Sequence, residues 1–217
     1  MLYYEKPKTA AIISGRKGEG VMKKIYVGAA YYPEMWEESE VDRDIVRMKE
    51  AGVNVVRVAE FAWGKMEPEE GKFDLGWLER AVDKLHKAGI GVIMCTPTCT
   101  PPRWLLDKYP ETRTVYADGT RTEVFSRCHP CKSSPVMREK NRIIVTELAK
   151  AFGKHPGVIG WQIDNEIFPY NEGCYCPLCR SGFRAYLKEK YGTPENLNAK
   201  WGMQRWSLEY KSFDDVL

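Results

Sequence analysis

The sequence predicts an α/β fold, a (β/α)8 TIM barrel of which this chain holds only about the first four βα units. Strand-like and helix-like segments alternate four times after Met22, which implies parallel strands joined by right-handed crossovers. A doubly wound sheet fits the same alternation, but no GxGxxG or Walker motif follows the first strand, which argues against its nucleotide-binding version. The 217 residues also fall short of the roughly 250 that a whole barrel takes.

The first units are predicted from strand-like runs and from the signals that bound a helix. Residues 24–30 form a predicted buried strand, and residues 53–58, VNVVRV, form a second strand rich in β-branched side chains. Between them, Ser39 is the predicted N-cap of a helix that runs to Ala51 and stops at Gly52.

The third and fourth units continue the alternation. A helix is predicted over residues 75–88, because Leu78, Val82 and Leu85 recur at helical spacing and Gly89 follows. Two more strands, a long loop and two more helices complete the prediction. They are strands over residues 90–95 and 158–163, a loop over residues 96–134, a helix from Pro135 to Phe152, and a helix around residues 182–190. The last residues contain no predicted fifth strand.

Composition and charge limit the classes of function. With 43% hydrophobic and 29% charged residues, the chain is predicted to be globular rather than disordered. The net charge is only +3 and no basic stripe is visible, so nucleic acid is not an expected partner. No apolar run reaches the roughly 18 residues of a membrane span, and no signal peptide is recognisable. We therefore expect no membrane partner and a cytoplasmic location.

The first 21 residues differ from the rest of the chain. They are polar, rich in Gly and Lys and without clear periodicity, whereas Met22 precedes the strand-like run KKIYVGAAYY. The hypothesis is that residues 1–21 are a non-native or disordered upstream extension, and that residues 22–217 form the folded domain.

Polar and aromatic residues follow each predicted strand directly. In a barrel, active sites lie at the carboxyl ends of the strands. The residues at these ends are Tyr32, Glu34 and Trp36 after the first strand, Glu60 and Trp63 after the second, Thr96 and Thr98 after the third, and residues 164–166 after the fourth. Such a convergence suits a carbohydrate cleft, although an ordinary solvated rim is the alternative because loops are polar in any protein.

The run GWQIDNE, residues 160–166, is the sharpest local signal. A buried strand that breaks into Asn165 and Glu166 presents a carboxylate at the rim with an amide beside it. Glycoside hydrolysis needs a carboxylic acid that protonates the leaving oxygen and a second carboxylate opposite it. An Asn-Glu pair is common by chance, but after the fourth strand of an alternating α/β chain it indicates such an acid.

The cysteines indicate a metal site. Cys174, Cys176 and Cys179 supply three thiolates over six residues. Zn²⁺ binds four such ligands in a tetrahedron, and in a reducing compartment this clustering favours metal over disulfides. The alternative is a set of unligated reduced thiols. Three residues earlier in the chain could supply the fourth ligand. They are Cys131, Cys128 and His129.

Four runs of the sequence carry a resemblance to a known family. They are AAYYPEMW, VRVAEFAWGKMEPEEGKFDLGWL, TPTCTPPRWLLDKYPE and QIDNE. From about residue 25 to its end, the chain resembles the glycoside hydrolase family 42 β-galactosidases. The resemblance implies that residues 22–217 are the N-terminal half of a TIM-barrel catalytic domain. It also implies retaining hydrolysis of terminal non-reducing β-D-galactose residues from β-galactosides.

The resemblance also implies roles for individual residues. Glu166 matches the acid/base proton donor, and Asn165 matches the residue that binds the sugar 2-hydroxyl. Arg57 and Arg127 match substrate-binding positions, with an ordinary surface or salt-bridging arginine as the alternative for both.

For the metal, the resemblance implies four cysteine ligands and a structural role. The ligands are Cys131, Cys174, Cys176 and Cys179. With all four positions filled by sulfur, a Zn²⁺ ion would have no site left for water and would join the loops after the third and fourth strands.

The family's nucleophile is a second Glu on the seventh strand, beyond the four strands predicted here. Retaining chemistry needs two carboxyl groups about 5–5.5 Å apart, so the activity of these 217 residues by themselves is in question. A second hypothesis is a zinc-stabilised carbohydrate-binding or interaction module without catalysis. Family members are often trimers, so a homotrimer is the expected assembly of the parent enzyme.

Overall fold

Four parallel strands form one sheet, in the order in which they occur in the sequence. They are β1 (Gly28–Ala30), β2 (Val55–Val58), β3 (Gly91–Cys95) and β4 (Val158–Gln162). The structure is a computed structural model that describes residues 25–124, 130–166 and 173–216. A doubly wound sheet would reverse its strand order at a switch point. The order β1-β2-β3-β4 therefore confirms the partial barrel.

Helices connect the strands and continue after β4. The α-helices of the described residues are α1 (Glu40–Glu50), α2 (Trp63–Met66), α3 (Gly76–Lys87), α4 (Arg103–Lys108), α5 (Pro135–Phe152), α6 (Pro177–Tyr191) and α7 (Pro194–Trp201). Short 3-10 turns lie at Pro33–Met35, Pro110–Thr112, Arg205–Ser207 and Phe213–Asp215. None of the helices within the described ranges has the length and apolar character needed to cross a membrane.

Most helix boundaries follow the predicted signals. Gly52 and Gly89, which follow α1 and α3, adopt φ values of 75° and 76° that suit glycine. Ser134 caps α5, since its hydroxyl accepts a hydrogen bond from the Met137 amide at 3.3 Å. Ser39 precedes α1 but makes no side-chain cap, because its own backbone is already helical. Ser39 therefore occupies the predicted N-cap position without capping the helix by its side chain.

Three predictions about element extent are also corrected. The strand predicted to be buried over residues 24–30 is only Gly28–Ala30 and is exposed, because β1 is a sheet edge paired with β2 alone. The loop predicted over residues 96–134 contains α4, which buries Leu105 and Leu106. The helix predicted around residues 182–190 is longer, because α6 begins at Pro177, where the Cys176 sulfur accepts a hydrogen bond from an amide. The helix α7 after it was not predicted. Short helices escape detection because they hold too few turns to show periodicity.

The core lies between the sheet and its helices. Val56, Val58, Val92 and Met94 of the central strands pack in one cluster with buried apolar residues of α3 and α5. Each fully buried side chain of this size contributes roughly 1.5–3 kcal/mol. Because strand residues alternate between faces, the opposite face, which is the inside of the partial barrel, presents Arg57 and Gln162.

Candidate active site

The carboxyl ends of β2, β3 and β4 are joined by hydrogen bonds from one side chain to the next. Arg57 is the centre of this network. Its Nη2 lies 2.6 Å from Glu60 Oε2, and its Nη1 donates to Gln162 Oε1 at 2.9 Å. The guanidinium therefore spans the sheet from the end of β2 to the end of β4.

Glu60 is the buried partner of this arginine. It is 3% exposed, and Oε1 accepts a hydrogen bond from the Tyr32 hydroxyl at 2.6 Å. Ala59 directly before it has a φ of 77°, a left-handed conformation that follows the end of β2. Burial, and then the bond to Glu60, raises the pKa of Tyr32, so this hydroxyl stays protonated as a donor. A buried carboxylate needs such partners to offset its desolvation.

The turn after β4 is strained and is held from several sides. Asp164 and Glu166 have φ values of 58° and 45°, in a region that side chains other than glycine seldom adopt. The Asp164 amide donates to Thr96 Oγ1 at 2.7 Å, and Asp164 Oδ1 accepts from the Asn165 amide at 2.9 Å. Lys132 Nζ lies 2.8 Å from Asp164 Oδ2. These bonds determine the path of the chain into Glu166.

The structure brings three of the predicted substrate-site residues to one end of the sheet. Arg57 contacts Gln162, and Gln162 Nε2 donates to Asn165 Oδ1 at 3.2 Å, next to the exposed Glu166. Arg127 lies outside the described residues, as do residues 1–21 and the two rival metal ligands Cys128 and His129. The network therefore joins Arg57 to Asn165 through a residue for which the sequence suggested no role.

Sequence reasoning missed the functions of Gln162, Glu60 and Asp164 within this network. Glu60 and Asp164 stand at strand ends in the sequence, but nothing there shows which partner each one meets. Gln162 and Arg57 lie on the same face of the sheet. The sequence could have predicted their contact only if the register between the strands had been known. Glu67, another buried carboxylate, accepts from Trp63 Nε1 and from a backbone amide, both at 2.8 Å, and so stabilises its own loop.

Four cysteines form a cluster beside this site. The sulfur atoms of Cys131, Cys174, Cys176 and Cys179 all lie within 4.8 Å of one another. Cys131 Sγ is 3.6 Å from Cys176 Sγ and 3.5 Å from Cys179 Sγ, too far for a disulfide. Four sulfurs at about 2.3 Å from a tetrahedral ion would be separated by about 3.8 Å. The cluster therefore fits a metal ion, and its members are those predicted.

The cluster connects the loop after β3 to the loop after β4. Cys131 belongs to the first loop, Cys174 and Cys176 belong to the second, and Cys179 lies in the first turn of α6. The Tyr175 amide also donates to the Val115 carbonyl at 2.9 Å. Lys132, which follows Cys131 directly, is the residue paired with Asp164. A single residue, Lys132, thus links the cysteine cluster to the turn that carries Glu166.

Comparison with known proteins gives a consistent result. The family model for β-galactosidases of glycoside hydrolase family 42 matches residues 30–217. The β-galactosidase YesZ of Bacillus subtilis is 46% identical over 198 residues, which cover 90% of this chain and 29% of that protein. A β-galactosidase of Thermus thermophilus is 46% identical over 191 residues, covering 88% of this chain and 30% of that protein.

A solved structure shows the same arrangement of the backbone. The β-galactosidase from the Antarctic haloarchaeon Halorubrum lacusprofundi matches with a TM-score of 0.81 at 41% identity, over 88% of this chain and 29% of that one. The chain thus spans about three tenths of the length of the relatives it matches. Because the family model extends over most of the chain and the strands superpose on those of a solved relative, the chain belongs to the glycoside hydrolase family 42 β-galactosidases.

Proposed function

We propose that this chain supplies the acid/base carboxylate and part of the sugar site of a retaining β-galactosidase. The position of Glu166 carries the proposal: it is exposed at the carboxyl end of β4, on a strained turn that Thr96 and Lys132 hold in place. The relatives in this family are named β-galactosidases, which supports terminal β-D-galactosides as the substrate class.

In the proposed reaction, Glu166 acts first as an acid and then as a base. It protonates the glycosidic oxygen as the aglycone leaves, and later takes a proton from the attacking water. Asn165 binds the sugar 2-hydroxyl, and Arg57 and Arg127 donate to galactose. The second carboxylate attacks the anomeric carbon from the opposite face, and the resemblance assigns it to a Glu of the seventh strand.

The buried carboxylates of the described residues are poor choices for that nucleophile. Glu60 is paired with Arg57 and accepts from Tyr32, and Glu67 accepts from Trp63 and a backbone amide. Attack on a sugar would require each of them to leave these partners. We therefore assign them to the scaffold of the site rather than to covalent catalysis.

The test is hydrolysis of aryl β-D-galactosides by the chain and by a chimera. In the chimera, residues 30–217 replace the matching segment of the Bacillus subtilis relative. We expect turnover of 4-nitrophenyl β-D-galactoside by the chimera, because both carboxyl groups are then present. Glu166→Gln should lower kcat/KM, which reports the first step, by about 10²–10⁴-fold on alkyl galactosides, which need a proton donor. The loss should be far smaller on 2,4-dinitrophenyl galactoside, whose leaving group needs no protonation.

Controls separate this proposal from simpler outcomes. Glu189→Gln, an exposed change on α6, should leave both rates unchanged. Equal losses on good and poor leaving groups in Glu166→Gln would argue against acid catalysis. Galactose binding without turnover by the chimera would favour the carbohydrate-binding module.

We further propose that the four clustered cysteines bind a structural Zn²⁺ ion. The sulfur separations support this, as does the composition of the cluster, since four thiolates leave no open position on a tetrahedral ion. The metal would hold the two loops together and take no part in the chemistry. Burial raises the pKa of the Cys131 thiol, so metal binding should release protons as the thiolates form.

Elemental analysis tests the metal proposal directly. We expect close to one zinc per chain, with a fall in both zinc content and Tm in Cys131→Ser. Cys95→Ala is the matched control, because Cys95 is also buried but lies outside the cluster and should leave the zinc content unchanged. A folded protein that contains no zinc, and whose Tm is unaffected by a chelator, would contradict the proposal.

A further inference from the structure

We propose that Gln162 is a positioning residue that determines which end of the Asn165 amide faces the ligand. The inference rests on the proposed function, in which Asn165 binds a sugar hydroxyl. It concerns a side chain that touches no reacting atom. Gln162 instead transmits the fixed polarity of Arg57 to Asn165 through two hydrogen bonds.

The first step of the relay follows from the chemistry of arginine. A guanidinium offers donors only and stays charged. Nη2 of Arg57 is held by the buried Glu60 carboxylate, and Nη1 is directed at Gln162 at 2.9 Å. The atom of Gln162 that meets Nη1 must therefore be the carbonyl oxygen Oε1. The reverse orientation would place an NH₂ group against a cation with no acceptor between them.

The second step transfers this choice to the turn after β4. With Oε1 facing Arg57, Nε2 of Gln162 faces the other way. It donates to the Asp164 carbonyl at 3.0 Å and to Asn165 Oδ1 at 3.2 Å. Asn165 must therefore present its oxygen to Gln162. Its Nδ2 is then the end of the amide directed away from Gln162.

The consequence is a fixed hydrogen-bond polarity at the sugar site. Asn165 presents a donor, so the matching ligand atom has to accept, as a hydroxyl oxygen can. An inverted amide would present an oxygen and would demand a donor instead. Glu60 is almost wholly buried, accepts a hydrogen bond from Tyr32 and is ion-paired with Arg57, so the polarity at the start of the relay does not change.

The test reverses the polarity at Gln162. In Gln162→Glu, the new carboxylate still accepts from Arg57 but has no donor for Asn165 Oδ1. The Asn165 amide should then turn, so that Nδ2 donates to the carboxylate. In ¹H–¹⁵N spectra of the chain, the side-chain NH₂ resonances of Asn165 should shift. Gln204→Glu, an exposed change of the same charge, should leave them in place.

A reciprocal pair keeps the test decisive if Gln162→Glu fails to fold. Asn165→Asp retains an oxygen as acceptor for Gln162, whereas Asn165→Leu removes it. The NH₂ resonances of Gln162 should persist in the first variant and shift in the second. Identical spectra for the two variants would overturn the relay. These spectra need no turnover, so they decide the inference even if the proposed hydrolysis is absent.

Kinetics supply a second readout, in whichever form turns over, the chain or the chimera. Gln162→Glu should slow hydrolysis of an aryl β-galactoside by about tenfold to a hundredfold, the effect of one or two hydrogen bonds. It should slow the 2-deoxy substrate far less, because that substrate lacks the hydroxyl that Asn165 would bind. Equal losses on both substrates would show a merely structural role and would overturn the inference.

Discussion

At the residue scale, three of the five described non-glycine residues with positive φ lie at the ends of strands that carry the proposed site, and the other two are Trp206 and Ser207. Ala59, Asp164 and Glu166 all have positive φ, and they follow the ends of β2 and β4. Such conformations cost of order 1–3 kcal/mol each and persist only where surrounding contacts impose them. For Asp164, these contacts are a hydrogen bond to Thr96 and an ion pair with Lys132.

The ion pair between Arg57 and the buried Glu60 gives a stability prediction. Arg57→Met should lower the free energy of unfolding by about 1–3 kcal/mol, because Glu60 loses its cation while staying buried. The double variant Arg57→Met/Glu60→Leu removes both charges and should be more stable than the single variant. Urea unfolding followed by circular dichroism measures the free energy of unfolding of the unmodified chain, the single variant and the double variant. A single variant as stable as the unmodified chain would show that the pair is not buried as described.

At the scale of elements, the loops after β3 and β4 act as one unit. The four cysteines join the segments that follow the two strands, and so does the pair between Lys132 and Asp164. The cysteine cluster therefore has a direct physical route to Glu166, through Lys132, although it lies outside the proposed chemistry. This linkage explains why a structural metal would stand so near an active-site turn.

A second linkage between elements predicts a pH dependence. The Glu70 carboxylate accepts from Lys108 at the end of α4, from Lys140 of α5 and from the Tyr109 hydroxyl. These bonds, that from Lys108 first, lower the pKa of Glu70 to about 2 from an ordinary 4.5. Since the folded pKa is the lower one, the stabilisation is present above about pH 4.5 and is lost as the pH falls towards 2.

Urea unfolding midpoints at pH 6, 4 and 3 test this dependence. Glu70→Gln should be less stable than the unmodified chain at pH 6, and the difference should narrow as the pH falls. Glu111→Gln, at an exposed carboxylate two residues after Tyr109, should show no such trend. A constant difference across the three pH values would argue that the bonds to Glu70 do not depend on its charge.

At the scale of the whole molecule, the described sheet has two open edges with apolar side chains. Ile25, next to β1, is 77% exposed, and Ile163, next to β4, is 69% exposed. An edge strand presents unpaired backbone groups and pairs readily with another chain. Exposed apolar surface beside it adds to this tendency.

Self-association is therefore the expected behaviour of these 217 residues in isolation. Light scattering after size exclusion should give a mass above 25.0 kDa that rises with concentration. The double variant Ile25→Lys/Ile163→Lys should reduce the self-association, because it places a charge at both edges of the sheet. Leu208→Lys, at a residue that is 57% exposed and lies outside the sheet, is the control. A monomer at all concentrations would contradict the prediction.

Periodicity and boundary signals predicted the long elements well, because each is encoded locally. The helix predicted from Pro135 to Phe152 is α5, and the glycines after α1 and α3 stop their helices as expected. Local patterns failed for β1, whose exposure depends on its neighbours in the sheet, and for α4, which is too short for its period to show. Neither failure concerns the strands that carry the network.

The sequence by itself determined the alternating α/β architecture, the family and the residues of the cysteine cluster. These features depend on local patterns and on short motifs, which can be recognised in the sequence without the structure. Only the tertiary structure decided the strand order and the chain of contacts from Glu60 through Arg57 and Gln162 to Asn165. Gln162 lies 105 residues from Arg57, and the two meet because the register of the sheet brings β2 and β4 to the same face.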